Sequence, residues 1–224
     1  MTKRITLVVG VIFLVSGLEG CVKKEVDSPQ AVEAKSDPYH LIGERSFLTG
    51  YEPLNADSTI NMIVEIPTGT TAKWEVDKND GSMRWEFRND KPRVVQYLGY
   101  PGNYGMIPRT SLPKDQGGDG DPLDIIVLGD PMPRGAVIRA KLLGVLKLLD
   151  TNEQDDKLIA VRADTPLYAA NNLAELDERF PGVTAIVETW FSNYKGAGLM
   201  QSLGYGEVAE AKAILATAIK AFQK

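Results

Sequence analysis

From residue 60 to residue 161 the apolar positions fall in short runs, some alternating with polar residues and some nearly continuous, which is the pattern of strands rather than helices. The runs cover 60–67, 71–76, 94–98, 124–128, 137–149 and 158–161, and Gly, Pro and Asp punctuate the gaps between them. Short strands separated by turn residues predict a small barrel or sandwich rather than a sheet of alternating strands and helices. Helical spacing enters later, over 173–180 and again at Val208, Ala211, Leu215, Ala218 and Phe222, where apolar residues three and four apart mark an amphipathic helix. The predicted fold class is α+β: a small closed β-barrel, OB-like, with flanking helices that include a C-terminal amphipathic one. No internal repeat or low-complexity segment is visible in the chain.

The N-terminus carries a different pattern. Lys3 and Arg4 precede an apolar run over 5–15, the charge order of a secretory signal. The run falls short of the roughly 20 apolar residues that a membrane span needs. It leads to Leu18-Glu19-Gly20-Cys21, where Cys21 is the chain's single cysteine and so has no intramolecular disulfide partner. A free thiol, an intermolecular bridge and a modified residue all remain open, and the position directly after the apolar run favours modification. The segment resembles the bacterial lipoprotein processing box, which implies lipidation of Cys21. The expected organisation is a signal peptide over 1–20, a lipid-anchored flexible tether over 21–50 and a folded domain over 51–224. The location this implies is the periplasmic face of a bacterial membrane, with a secreted or soluble periplasmic form as the alternative.

Composition narrows the partners. A chain of 224 residues, 43% hydrophobic and 25% charged, fits one domain with a sizeable core. A formal net charge of −5 argues against a nucleic-acid partner held on a broad basic surface. An anion can still bind where metal ions or a local basic cluster invert the field.

The densest chemistry lies in Asp119-Gly120-Asp121-Pro122-Leu123-Asp124, three carboxylates in six residues followed directly by a strand. Such carboxylates repel one another unless a cation or protons are shared between them, although a solvated turn is the bland alternative. A calcium loop of the EF-hand type fails on position: counted from Asp119, the obligatory glycine slot holds Asp124 and the twelfth position is Asp130 rather than Glu. A second acidic set runs from Asp150 through Asp155 and Asp156, and Glu65 and Glu75 alternate with apolar residues upstream. An all-oxygen set suits a hard cation such as Mg²⁺. His40, the only histidine, falls in the expected tether, so Ser/His and Cys/His mechanisms are set aside.

The stretch 119–125 resembles the signature of the soluble family I inorganic pyrophosphatases. The resemblance continues in Val64-Glu65-Ile66-Pro67, in Lys73-Trp74-Glu75-Val76-Asp77-Lys78, and in Tyr100-Pro101-Gly102-Asn103-Tyr104-Gly105. It includes Gly144-Val145-Leu146-Lys147, Asp150 with Asp155 and Lys157, and Tyr194-Lys195. It implies that Asp119, Asp121, Asp124, Asp150 and Asp155 are metal-site carboxylates, with Asp121 also acting on the attacking water. Glu65 and Glu75 would complete outer metal sites through waters. Lys73, Arg88, Lys157, Tyr194 and Lys195 match phosphate contacts, and Tyr100 and Tyr104 match active-site tyrosines; the stretch over 83–88 offers Arg84 as well as Arg88. The implied catalytic set is Asp121, Tyr104 and Lys73, and Glu75 is counted with the substrate contacts. The implied assembly is a homo-oligomer, a hexamer. After Lys195 the family commonly continues with an acidic stretch, whereas this chain has Gly196-Ala197-Gly198-Leu199-Met200.

Pyrophosphate is a compact polyanion whose hydrolysis places further charge on the transferred phosphoryl and the leaving phosphate. Several Mg²⁺ ions can neutralise that charge, and a pair can acidify a bridging water, so no protein nucleophile is required. Two other readings compete: a hydrolase of nucleotides or polyphosphate, and a non-catalytic envelope protein that binds metal or phosphate. The first has no glycine-rich nucleotide loop in its favour, and the second predicts losses among the acidic residues that the sequence does not have.

Overall fold

A computed structural model describes residues 37–112, 120–151 and 153–223. In chain order the strands are β1 (His40–Leu41), β2 (Ile60–Ile66), β3 (Trp74–Val76), β4 (Met83–Trp85), β5 (Phe87–Arg88), β6 (Lys91–Pro92) and β7 (Asn103–Met106). They continue with β8 (Asp124–Leu128), β9 (Val137–Asp150), β10 (Glu153–Gln154), β11 (Lys157–Val161) and β12 (Met200–Gly206). The α-helices are α1 (Leu173–Arg179), α2 (Val183–Asn193) and α3 (Val208–Phe222). The result is a mixed, sheet-dominated fold with few helices.

The main sheet runs β10-β9-β11-β8-β7-β2, and β2 also pairs with β9, so the order of pairing returns to a strand already in it. All neighbours in that circuit are antiparallel except β8 and β11, which are parallel with Leu158 opposite Ile125. β9 holds the circuit together. It pairs with β2 over Val137 to Ala140, with β11 over Lys141 to Leu146 and with β12 over Val145 to Asp150. Its register with β11 shifts where Leu143 has no opposite residue, between the pairs Leu142↔Ala160 and Gly144↔Ile159. One extra residue reverses which face each later side chain takes. Ile138, Ala140 and Leu142 accordingly enter the core under α3, whereas Leu143, Leu146 and Leu148 enter the core under α1 and α2.

α3 follows the expected stripe, burying Ala211, Leu215 and Ala218 at spacings of four and three. Asn172 caps α1 by accepting the Glu175 N–H at 2.8 Å, and the Glu175 carboxylate accepts the Asn171 N–H at 2.9 Å. α2 has no sequence-level counterpart. Its Val-Thr-Ala-Ile-Val-Glu-Thr-Trp-Phe composition leans towards strand, yet Val187, Trp190 and Phe191 form a buried helical stripe, and tertiary packing overrides the local preference.

Two other expectations change. Residues 37–50 are not tether: β1 pairs with β4, Phe47 is 2% exposed in a core with Ile63, Trp74 and Met83, and His40 Nε2 lies 2.8 Å from Ser82 Oγ. The described residues all fall in one unit, Lys35–Lys224. Residues 94–98 are not a strand, because only Val94 bridges, to Ala72, and the Leu98 carbonyl instead accepts the Trp190 indole N–H. Cys21 and the signal pattern lie outside the described residues, and none of the described helices is long and apolar enough to cross a membrane.

Leu215 is 3% exposed beneath α3, so Leu215→Ala is expected to destabilise the fold by about 2–5 kcal/mol. Lys212→Ala on the exposed face of the same helix should change stability by less than about 0.5 kcal/mol. Urea titrations of the two variants check this.

Candidate active site

The site begins with strand register. Because β8 and β11 are parallel with Ile125 opposite Leu158, the preceding residues Asp124 and Lys157 emerge side by side. Lys157 Nζ donates to Asp124 Oδ2 at 2.5 Å and to Asp155 as well. The next strand, β7, sets Tyr104 against Ile126, and its ring centroid lies 5.9 Å from Lys157 Nζ and 5.3 Å from Lys73 Nζ. On β2 the register shifts between Val64 and Ile66, and Glu65 within that irregularity accepts the Val76 N–H at 2.8 Å. The Glu65 bond ties the small sheet of β1, β4 and β3 to the site. Lys73, just before β3, reaches Glu75 Oε1 at 2.7 Å.

Asp121 follows Gly120, whose φ of 85° turns the chain ahead of the carboxylate, and it forms an ion pair with Lys78. Thr110 fixes this loop: its hydroxyl accepts the Leu123 N–H at 2.9 Å and donates to the Ile107 carbonyl at 2.6 Å. The opposite wall comes from α2. Tyr194 stacks on Trp190 at 4.7 Å and 12°, and Trp190 is anchored through the Leu98 carbonyl and packed at 4.3 Å against Tyr100. Lys195 is thereby set beside Asp150, with which it forms an ion pair.

Glu65, Lys73, Glu75, Arg93, Tyr104, Asp121, Asp124, Asp155, Lys157, Tyr194 and Lys195 line one cleft of about 240 Å³, with Lys78 at its edge. A second chamber of about 560 Å³ shares Arg93, Tyr194 and Lys195 with it and holds Asp150 and Arg88. Burial acts on every group in the inner cleft. It drives the Glu65 carboxyl up to about 8 against the pull of Lys73. Burial also opposes the charge of Lys157, but Asp124 and Asp155 outweigh it and hold the ammonium far above its ordinary range. Asp124 resists burial through Lys157 and stays below the usual carboxylate range. Burial, with Asp124 close by, keeps the Tyr104 hydroxyl protonated.

Most of the residues singled out in the sequence therefore meet in one place. Tyr100 does not line the cleft; it is 2% exposed and packs behind Tyr104 and Trp190. Arg88 is exposed on the β5–β6 hairpin in the outer chamber, and the arginine in the inner cleft is Arg93, whose guanidinium bonds Glu86 at 2.6 and 2.8 Å. Arg93 and Lys78 are the cations that the sequence reading passed over. Lys78 closes one of the motif pieces, and Asn89-Asp90, both at positive φ, is the hairpin signal that would have brought Arg93 forward. Asp119 lies outside the described residues.

Among the described residues no group of three carboxylates is gathered into a cation cage. Their partners are ammonium groups: Lys78 on Asp121, Lys157 on Asp124 and Asp155, Lys73 on Glu75. The acidic donors themselves are all oxygen, and their chemistry fits a hard divalent cation. Fold and cleft together define a site for a compact polyanion.

The inorganic pyrophosphatase family matches residues 62–223, and the chain belongs to that family. An inorganic pyrophosphatase of Drosophila melanogaster is 35% identical over 157 residues, covering 63% of this chain and 46% of that protein. A soluble inorganic pyrophosphatase of Chlamydomonas reinhardtii is 37% identical over 142 residues, covering 63% and 68%. The chain thus spans about half the length of the first relative and two thirds of the second. Among solved structures, the type I inorganic pyrophosphatase of Toxoplasma gondii superimposes with a TM-score of 0.73 at 26% identity, covering 80% of this chain and 88% of that one.

Lys157 is 2% exposed, and removing it strands two carboxylates together. Lys157→Ala is expected to cost about 3–5 kcal/mol in chelator. Mg²⁺ should then raise the melting temperature of the variant more than that of the parent protein, as scanning calorimetry with and without the ion would register.

Proposed function

We propose that the protein hydrolyses inorganic pyrophosphate to two orthophosphates, with several Mg²⁺ ions as cofactor. The observation that carries this reading is the convergence of Asp121, Asp124 and Asp155 with Lys73, Lys157, Lys195 and Arg93 on a single small cleft. Asp119, Asp121, Asp124, Asp150 and Asp155 would hold the metal, with Glu65 and Glu75 completing outer positions through waters. When bound, Mg²⁺ supplies neutralisation of phosphoryl charge and acidification of a water.

The chain's own groups do the rest. Lys73, Lys157, Lys195 and Arg93 hold the phosphate oxygens, and their charge offsets what develops on the leaving phosphate. Tyr104 and Tyr194 stay protonated because burial opposes the phenolate, so they act as donors to those oxygens. Asp121 accepts the proton of the attacking water. Burial of Lys157 and Tyr104 at the floor excludes bulk water and strengthens each contact.

The finer architectural and cellular readings belong to the same proposal. The circuit of pairing through β9, β11, β8, β7 and β2 supports a closed, OB-like barrel. The family resemblance supports a homo-oligomer, a hexamer. The signal pattern ending at Cys21 supports a lipid-anchored form at the periplasmic face of a bacterial membrane.

Phosphate release from pyrophosphate tests the activity directly. Turnover is expected with Mg²⁺, suppression by Ca²⁺, which is larger and tolerates irregular coordination, and none in chelator; equal rates with both ions would sink the metal assignment. Asp121→Asn removes the proton acceptor at nearly constant volume, so kcat should fall by about 10²-fold or more while the melting temperature changes little. Cys21→Ser should move the protein out of the membrane fraction or leave it unprocessed, with hydrolysis retained; full-length protein found wholly in the cytosol with Met1 intact would remove the export reading.

A further inference from the structure

The outer chamber is larger than inorganic pyrophosphate can use. Pyrophosphate is charged at both ends, and the inner cleft of about 240 Å³ already supplies cations for it. The chamber of about 560 Å³ opens off that cleft past Arg93, Tyr194 and Lys195, and Val94, Val95 and Leu199 form an apolar wall in it. Val94 and Leu199 remain 40% and 48% exposed, so apolar surface stands in water directly beside a polyanion site. Isopropyl and isobutyl groups offer no hydrogen bond to a phosphate, whereas an aliphatic group covering them gains about 25 cal/mol per Å² removed from water.

The wall is a built feature of this chain. Immediately after Lys195, Gly196 and Gly198 take φ of 114° and 76°, and the Leu199 carbonyl accepts the Thr151 N–H at 3.1 Å, which fixes Leu199 at the end of the turn. This is the stretch Gly196-Ala197-Gly198-Leu199-Met200, apolar where the resembling family commonly turns acidic. A carboxylate there would repel an apolar substituent's diphosphate and wet the wall; a leucine does neither.

We propose that the chamber takes the organic group of an aliphatic diphosphate monoester, and that the enzyme cleaves such esters as well as inorganic pyrophosphate. The inference rests on the pyrophosphatase reading above and extends it to a substrate class. The diphosphate occupies the inner cleft and the chain of the ester lies against Val94, Val95 and Leu199. Water oxygen bonds to the terminal phosphorus and the anhydride P–O bond breaks. Its electron pair leaves on the bridging oxygen of the phosphate monoester, and the water proton passes to Asp121 and then to solvent. The products are orthophosphate and the aliphatic monophosphate.

The test is phosphate release by the full chain with Mg²⁺ from inorganic pyrophosphate, isopentenyl diphosphate and farnesyl diphosphate. Cleavage of both esters is expected, with kcat/KM for farnesyl diphosphate exceeding that for isopentenyl diphosphate by about tenfold or more. Leu199→Asp should lower kcat/KM for farnesyl diphosphate about tenfold and leave pyrophosphate within about twofold, while Leu199→Met keeps the preference. Pyrophosphate hydrolysis without cleavage of, or competition by, either ester would overturn the inference and leave the pyrophosphatase reading standing. An equal loss on all substrates in Leu199→Asp would overturn it too. Ester cleavage without pyrophosphate cleavage would support the chamber's role and overturn the pyrophosphate reading, and inactivity on every substrate would overturn both.

Discussion

An ammonium group buried at 2% exposure is tolerable only if its charge is met, and the geometry that meets the charge of Lys157 organises the cleft. The parallel pairing of β8 and β11 brings Asp124 to it, and the turn before β11 brings Asp155. Tyr104 from β7 covers the pair, and Glu65 from β2 sits in the same low-dielectric pocket. A slip of one residue between β8 and β11 would replace this ion pair with apolar side chains, so strand register and site electrostatics are one constraint.

The second wall depends on aromatic packing rather than charge. Trp190 and Phe191 on α2 pack with Tyr100 and Tyr104, and the Trp190 indole N–H is satisfied by Leu98, a carbonyl that no strand pairing claims. That single bond explains why residues 94–98 run beneath the helix instead of joining a sheet. It also fixes the end of α2, from which Tyr194 and Lys195 project. Carboxylates on the barrel side and cations on the helix side therefore reach the same cleft from independent supports.

What the sequence displayed was chemistry concentrated along the chain. The acidic run from Asp119 to Asp124, the Tyr100 to Tyr104 piece and the two lysines Lys73 and Lys157 sit in short motifs, and strands with uniform apolar runs such as β2, β8, β9 and β11 could be placed within a residue or two. What it concealed was information held in tertiary contacts. α2 is written in β-branched and aromatic residues, and its helix is stabilised by the core it covers. Arg93 reaches the cleft because a two-residue hairpin at Asn89-Asp90 doubles the chain back, so distance along the sequence from Lys73 misled the choice towards Arg88. His40 and Phe47 lie in a polar stretch without periodicity, and a two-residue strand with one buried ring leaves no pattern to read.

β9 has a further consequence through the unpaired Leu143. At about 3.4 Å per residue a strand of this length crosses the whole sheet, and the bulge lets its first half line one core and its second half the other. The cores beneath α3 and beneath α2 are thus two sides of the same strand. Melting either one withdraws the hydrogen-bonded partner on which the other is laid, and no boundary exists at which half the domain could persist. The physical result is cooperativity: the cleft, though assembled from loops and strand ends, shares the all-or-none stability of the strand behind it.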